Sequence, residues 1–227
     1  MLIVIPGVLN SAELNTYRNE LGAADWVDGK ATAGIQSGAV KFNRQLAEDC
    51  DTAVRLGNHL LKKLGQHPLF LSAALPKTIY PPLFNRYEGG EHFGIHVDNA
   101  IRPVTGTAHI IRTDLSATLF LHEPETYEGG ELVIESQFGA QEIKLKAGDM
   151  VLYSASSLHH VLPVTQGQRL CSFFWLQSMV RDDSQRSILF DLDQSIQTLS
   201  SELSHTHDEV VRLSGIYHNL LRKWAEV

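Results

Sequence analysis

The chain has 227 residues, 43% of them hydrophobic and 20% charged, with a net charge of −7 at neutral pH. That composition suits a globular protein of one domain with an appendage, or two small domains, with enough chain for a sizeable core. The acidic balance argues against a nucleic-acid surface, which needs a basic footprint, and no run approaches the ~20 apolar residues of a membrane span.

The opening "MLIVIPGVLN" reads as a strand broken at Pro6 and Gly7. It has neither the basic leader nor the small-residue cleavage site of an export signal. Ser11 can cap a helix over residues 11–24, with Leu14, Tyr17 and Leu21 at helical spacing. Residues 28–40, rich in Gly, Ala and Ser, read as a loop or irregular hairpin. A longer amphipathic helix is predicted over 44–65, with Val54, Leu56, Leu60, Leu61 and Leu64 as its stripe and Gly65 at its end. From residue 77 the pattern changes to short runs of β-branched and aromatic residues, among them "PLFNRY", "FGIHVD", "LSATLFLH" and "RLCSFFWLQS". Such runs, punctuated by Gly, Pro and Asp with no room for helices between them, predict a β-sandwich or barrel and exclude a parallel βαβ sheet. After residue 180 a helical hairpin is predicted. Ile188, Leu189, Leu192, Ile196 and Leu199 stripe its first helix, and Val210, Leu213, Ile216, Tyr217, Leu220, Leu221 and Trp224 its second. The expected organisation is an N-terminal helical support (1–76), a β-domain (77–178) and a C-terminal helical extension (179–227). Cys50 and Cys171 lie far apart without a C-x-x-C pair and read as reduced thiols of a cytoplasmic protein.

The chemistry centres on "FGIHVDNA". Alternate residues of a strand share a face, so His96 and Asp98 project together while Ile95 and Val97 point away. A solvated edge strand would look the same, and the H-x-D pattern alone is weak. An imidazole and a carboxylate side by side do form two corners of a metal site, however. A third ligand must come from another strand, and the candidates are His159 and His160 in "SSLHHVLPV", of which one can face inward. His159 is preferred because Arg169 stands ten residues on, at the expected start of the next strand. Two histidines and a carboxylate leave positions open on the metal, the arrangement of non-haem Fe(II) oxygenases. A guanidinium nearby can grip a carboxylate through two hydrogen bonds. Together they suit a dicarboxylic acid that chelates at one end and is anchored at the other, the shape of 2-oxoglutarate.

"HVD", "LSATLFLHEPETYEGGELVI" and "SLHHVLPVTQGQRLCSFFWLQS" resemble the Fe(II)- and 2-oxoglutarate-dependent dioxygenases of the prolyl 4-hydroxylase type, and more closely the bacterial PKHD-type hydroxylases. The resemblance runs from "IPGVL" through "ADWVDGK" and "PLFNRY" to "IYHNLLRKW". It implies an α+β protein built on a double-stranded β-helix, or jelly roll, with N-terminal helices and a C-terminal helical extension. It implies Fe(2+) held by His96, Asp98 and His159, with Arg169 as the anchor of 2-oxoglutarate. The prolyl hydroxylases usually carry a lysine where Arg169 stands. It further implies dioxygen as co-reactant, succinate and carbon dioxide as products, L-ascorbate as reductant, and a link to iron homeostasis. The substrate, whether a peptidyl Pro or Lys or a small metabolite, is not readable from any residue, and a homo-oligomer stays open.

Supporting residues have bland readings beside functional ones. Tyr87 can reach the 2-oxoglutarate or serve as a barrel aromatic, with Asn85 on its strand face. Arg112 and Asp114 stand near the expected mouth as substrate contacts or as a surface ion pair. Phe173 and Trp175 share the face of Arg169, as core or pocket wall. Gly129 and Gly130 of "EGGEL" read as a tight turn, and His205, His207 and Asp208 as solvated surface. Two rival functions remain. One is a jelly-roll iron-binding or sensing module without turnover, against which Arg169 speaks. The other is a zinc hydrolase, for which no H-E-x-x-H helix or general base is evident.

Overall fold

Asn10, rather than Ser11, caps the first helix. Its side chain accepts from the N–H groups of Ala12 and Glu13, and the Glu13 carboxylate accepts from the Asn10 N–H at 2.8 Å. The computed structural model describes residues 1–32, 34–137 and 139–227. It runs β1 (Leu2–Ile5), α1 (Ser11–Gly22), β2 (Trp26–Asp28), α2 (Ile35–Ala39), β3 (Lys41–Phe42), β4 (Arg44–Leu46), α3 (Asp51–Leu64) and α4 (Pro68–Ala74). Strands β5 (Pro76–Ile79), β6 (Leu83–Glu88), β7 (His92–His96), β8 (Ile101–Pro103), β9 (Ile110–Arg112), β10 (Leu115–Phe120), β11 (Tyr127–Gly129) and β12 (Leu132–Ser136) follow. Then come β13 (Gly139–Ile143), β14 (Met150–Ser154), β15 (His159–Val161) and β16 (Val164–Ser178), before helices α5 (Asp183–Leu203) and α6 (Asp208–Trp224).

Three expectations need correcting. Residues 44–46 are not helical: they pair with β6 as β4, and the helix begins at Asp51 behind a cap from the Cys50 thiol. Leu46 fits a helical stripe or a strand face equally well, and the open edge of β6 takes it as a strand. Residues 28–40 hold a 3-10 turn and α2 rather than a bare loop, with Ala33 outside the described residues. The N-terminal segment is not only helical, since β1, β2 and β4 extend the larger sheet and β3 the smaller. Short strands β8, β9 and β11 were not evident in the sequence, being only three residues each.

Every pairing in the two main sheets is antiparallel. The larger sheet runs β1-β14-β10-β16-β6-β4-β2, with β5 and β11 also on β16; the smaller runs β13-β12-β15-β7-β3. Period-two alternation divides the larger sheet between two cores. Leu115, Ala117 and Leu119, Met150 and Leu152, and Leu170, Phe174 and Leu176 pack with Leu14, Tyr17, Leu56, Leu60 and Phe70 of the helices. On the other face, Tyr87, Phe120, Val151, Tyr153 and Cys171 meet Leu132, Ile134 and Val161 of the smaller sheet. With helices on one side and a sheet on the other, β10 is buried at every position, so Ser116 and Thr118 are enclosed along with its apolar residues. The C-terminal hairpin docks through Leu189, Tyr217, Leu220, Leu221 and Trp224 against Leu75 and Val180. No helix of the described residues is long and apolar enough to cross a membrane.

Gly129 and Gly130 turn the chain from β11 into β12, with φ of +72° and +70°. A Cβ on Gly129 would lie 2.0 Å from the Pro163 carbonyl oxygen. Gly129→Ala is therefore expected to lower stability by about 1–3 kcal/mol through backbone strain and crowding, read as a drop in Tm. An unchanged Tm would mean that the turn can shift.

Candidate metal and cosubstrate site

His96 and His159 are cross-strand partners on β7 and β15, 5% exposed each, with ring centroids 4.2 Å apart. Each ring is oriented the same way. His96 Nδ1 contacts the Gly94 carbonyl at 2.8 Å, and His159 Nδ1 contacts the Ser157 carbonyl at 3.0 Å. A carbonyl can only accept, so both Nδ1 atoms carry a proton, and each ring's Nε2 is the atom left to meet a metal. The Phe93 ring stacks on His96 at 3.6 Å, and Tyr153 meets His159 edge-on at 5.2 Å. Burial, and then His159 beside it, push the His96 pKa down to about 4, which keeps the ring neutral and ready to ligate.

Asp98 joins them from just beyond the end of β7. Its Oδ2 lies 3.7 Å from His159 Nε2 and accepts from Ser116 Oγ at 2.6 Å. Strand geometry therefore gave the right face for a residue that is no longer in the strand. Ile95 and Val97 point outward, 58% and 42% exposed. One donor atom from each of His96, Asp98 and His159 falls within 4.8 Å of the others. Two imidazoles and one carboxylate, converging in a cleft, form a donor set that fits Fe(II). His160 pairs with Val133 on β12 and does not enter this cleft.

Arg169 lines the same cavity as the triad. It lies within β16, five positions after Val164, rather than at a strand start. It is 1% exposed and sits 5.1 Å over the Tyr87 ring and 5.2 Å over that of Phe120. Nη1 contacts Cys171 Sγ at 3.0 Å, while Nε has no hydrogen-bond partner. Among the described residues no carboxylate lies in ion-pair range of it. A buried cation left this way costs several kcal/mol unless an anion arrives. A carboxylate of a bound small molecule fits that need. Gly130 makes the room, since a Cβ there would fall 3.0 Å from Arg169 Cδ. Tyr87 and Asn85 face the cavity beside Arg169, with the Asn85 amide donating to the Tyr87 hydroxyl at 3.2 Å. Phe173 and Trp175 also wall it, so the pocket role holds alongside packing.

Arg112 and Asp114 are not brought to this cavity. The Arg112 guanidinium donates to both Asp114 oxygens at 2.6 and 3.0 Å and to Glu226 at 3.0 Å, and Asp114 accepts from the Ser178 N–H at 2.9 Å. They fasten the end of the chain to β16. Asp114→Asn is expected to cost about 1–3 kcal/mol of stability while leaving 2-oxoglutarate affinity unchanged, by thermal melts and ligand titration; a large loss of affinity would return the pair to the site. His205 and Asp208 are exposed, and His207 caps α6 by accepting from the Glu209 N–H.

Sequence reasoning passed over Ser116 and Lys41. Ser116 and Thr118 are polar at a spacing of two inside an apolar strand, a pattern that marks a polar lining. Lys41 is 2% exposed although it stands on an N-terminal strand of two residues, and no local pattern announces that.

Comparison with known proteins identifies the family. Residues 82–177 match the 2OG-Fe(II) oxygenase superfamily, and residues 183–226 match the PKHD-type hydroxylase C-terminal domain. A PKHD-type hydroxylase of Burkholderia cenocepacia is 58% identical over 226 residues, and one of Acinetobacter baumannii 56% over 227, each covering 100% of both chains. Among solved structures, a Pseudomonas putida prolyl-4-hydroxylase superposes with a TM-score of 0.50 at 20% identity, over 78% of this chain and 92% of that one. The non-haem α-ketoglutarate-dependent epimerase SnoN gives 0.55 at 17% identity, over 79% and 77%. At those identities the solved structures speak for the fold, while the full-length relatives speak for the family: the chain belongs to the PKHD-type hydroxylases, 2-oxoglutarate-dependent enzymes of the 2OG-Fe(II) oxygenase superfamily.

Proposed function

We propose that His96, Asp98 and His159 hold Fe(2+), that Arg169 anchors the distal carboxylate of 2-oxoglutarate with Tyr87 beside it, and that the enzyme hydroxylates a C–H bond of an unidentified substrate, with dioxygen as oxidant and succinate and carbon dioxide as the other products. The observation that carries this reading is a buried guanidinium without a carboxylate partner in the same cavity as three converging ligand atoms. The two facing sheets are read as the halves of a double-stranded β-helix, spanning 77–178 between an N-terminal support and the C-terminal extension. L-Ascorbate is proposed as reductant by likeness to the family alone. The free thiols of Cys50 and Cys171 support a reducing compartment such as the cytoplasm.

When bound, the iron and its cosubstrate supply the oxidising chemistry. The protein's share is positional. The Gly94 and Ser157 carbonyls fix both imidazoles, and Ser116 fixes one Asp98 oxygen, so the donor atoms need not reorganise. Arg169 orients the cosubstrate through a fork that also admits a hydrogen bond from Nε. Tyr87, Phe120 and Cys171 exclude water around that fork and strengthen its hold. Burial raises the Tyr87 phenol above its ordinary range, so it acts as a neutral donor.

The test is anaerobic addition of Fe(II) and 2-oxoglutarate to metal-free protein, watching for the weak visible charge-transfer band of their chelate. A saturable band supports the reading. Stoichiometric Fe(II) binding without a band would sink it.

A further inference from the structure

A second chamber adjoins the first at His96 and Asp98. It shares Phe93, Phe173 and Trp175 with the first but excludes Arg169, and its own residues are Ser37, Lys41, Val97, Asn99 and Arg102. Lys41 comes from β3, and its ammonium donates to Gln45 Oε1 at 2.8 Å and lies 5.4 and 5.5 Å over the Phe93 and Phe173 rings. The Arg102 guanidinium, on β8, lies 3.9 Å over Trp175 and 5.2 Å over Tyr80. The two cations are near enough for Arg102 to disfavour the charge on Lys41. Asp98 also lines the chamber and favours the charge on Lys41, but it is the carboxylate proposed to hold Fe(2+); with that dication bound, Lys41 and Arg102 gather like charge where aromatic faces replace water, which is unfavourable. In a chain of net charge −7, two cations against one carboxylate in a chamber are also a local reversal of sign.

We infer that this chamber admits the substrate, and that the substrate carries an anionic group, a carboxylate in its simplest form, gripped between Lys41 and Arg102 beside the metal. The inference rests on the reading of the triad and Arg169 above. Arg169 lies outside this chamber and already answers the distal carboxylate of the cosubstrate, so the second pair addresses a different anion. Aromatic rings on either side add an apolar rim, so an acid with some flat or aliphatic bulk fits better than a bare inorganic ion.

The experiment uses the full chain loaded with Mn(II) and saturating 2-oxoglutarate, and reads the relaxation that the paramagnetic metal imposes on ligand protons. Benzoate, its neutral isostere benzamide, and a blocked acidic peptide, acetyl-Gly-Glu-Pro-Gly-amide, are the probes. Benzoate or the peptide is expected to relax at concentrations at least ~10-fold below benzamide, without displacing 2-oxoglutarate. The stronger of the two tells a small free acid from an acidic peptide, and either supports the inference. Arg102→Gln and, separately, Lys41→Gln are expected to weaken the anionic probe about 10-fold or more, with 2-oxoglutarate affinity held within about twofold. Because Lys41 is deeply buried, Arg102→Gln is the decisive variant if Lys41→Gln fails to fold. Relaxation of both benzoate and the peptide no stronger than that of benzamide would overturn the inference. So would indifference of the anionic probe to Arg102→Gln, displacement of 2-oxoglutarate, or loss of 2-oxoglutarate affinity in the variants. If Mn(II) and 2-oxoglutarate themselves fail to bind the unaltered protein, the reading of the triad and Arg169 falls, and the inference with it.

Discussion

Asp98→Ala is expected to weaken Fe(II) binding by at least ~100-fold and to abolish the charge-transfer band with 2-oxoglutarate. Loss of an outer hydrogen-bond partner alone costs metal sites about 10–100-fold, and the loss of a donor atom exceeds that. The carboxylate is the site's anionic donor, with its Oδ2 3.7 Å from His159 Nε2. Without it, two neutral imidazoles must hold a dication in a buried cleft, and the charge is uncompensated. Ser116→Ala serves as the graded companion. It removes the 2.6 Å hydrogen bond that orients Asp98 and leaves all three donors in place, so it should fall in the ~10–100-fold range. Competition against a coloured chelator measures both. If Asp98→Ala binds Fe(II) as tightly as the unaltered chain, the carboxylate is not a ligand and the triad is wrong.

Arg169→Met should separate cosubstrate binding from metal binding and do so without harming the fold. Removing one partner of a desolvated charge pair costs about 2–5 kcal/mol, equal to a loss of about 30-fold to several thousand-fold in 2-oxoglutarate affinity. Fe(II) affinity should be unchanged, because the guanidinium touches none of the three donors. The ligand-free variant should melt at or above the unaltered protein, since a methionine relieves a buried cation whose Nε has no partner. Adding 2-oxoglutarate should then raise the Tm of the unaltered protein and leave the variant's flat. A variant that melts far lower without ligand would show Arg169 to be a structural residue of the barrel. One that keeps full 2-oxoglutarate affinity would move the anchor elsewhere.

How much of this was legible depended on whether a signal was local. The alternation in "RLCSFFWLQS" is local, and it correctly put Arg169, Phe173 and Trp175 on one face. The i, i+2 spacing of His96 and Asp98 is local too, and it survived although Asp98 lies past the strand end. The two C-terminal helices were readable because their apolar stripes repeat over several turns. The identity of the third inward residue was less readable: a one-residue slip exchanges His159 for His160, and only the pairing with β7 and β12 decides the register. The helix expected from residue 44 failed for the same reason, since the partner that claims β4 lies some forty residues away on β6. Arg112 and Asp114 looked like mouth residues because they flank a buried strand. Their partners, Ser178 and Glu226, come from distant parts of the chain and could not be foreseen.

Strand β16 sets the order in which this chain can fold. It lies between β10 and β6 at the middle of the larger sheet, and β5 and β11 also pair with it along its 15 residues. Its partners are made much earlier: β5 and β6 precede it by some eighty to a hundred residues, and β10 by about fifty. On a ribosome, which delivers the chain from its N-terminus, β6 and β10 therefore emerge with nothing between them, each with an unpaired edge. The sheet can close only when the stretch 164–178 has left the exit tunnel, late in synthesis. Such long-range pairing is slow, and the interval leaves those edges open to pairing with other chains. Chains truncated before residue 164 should be aggregation-prone.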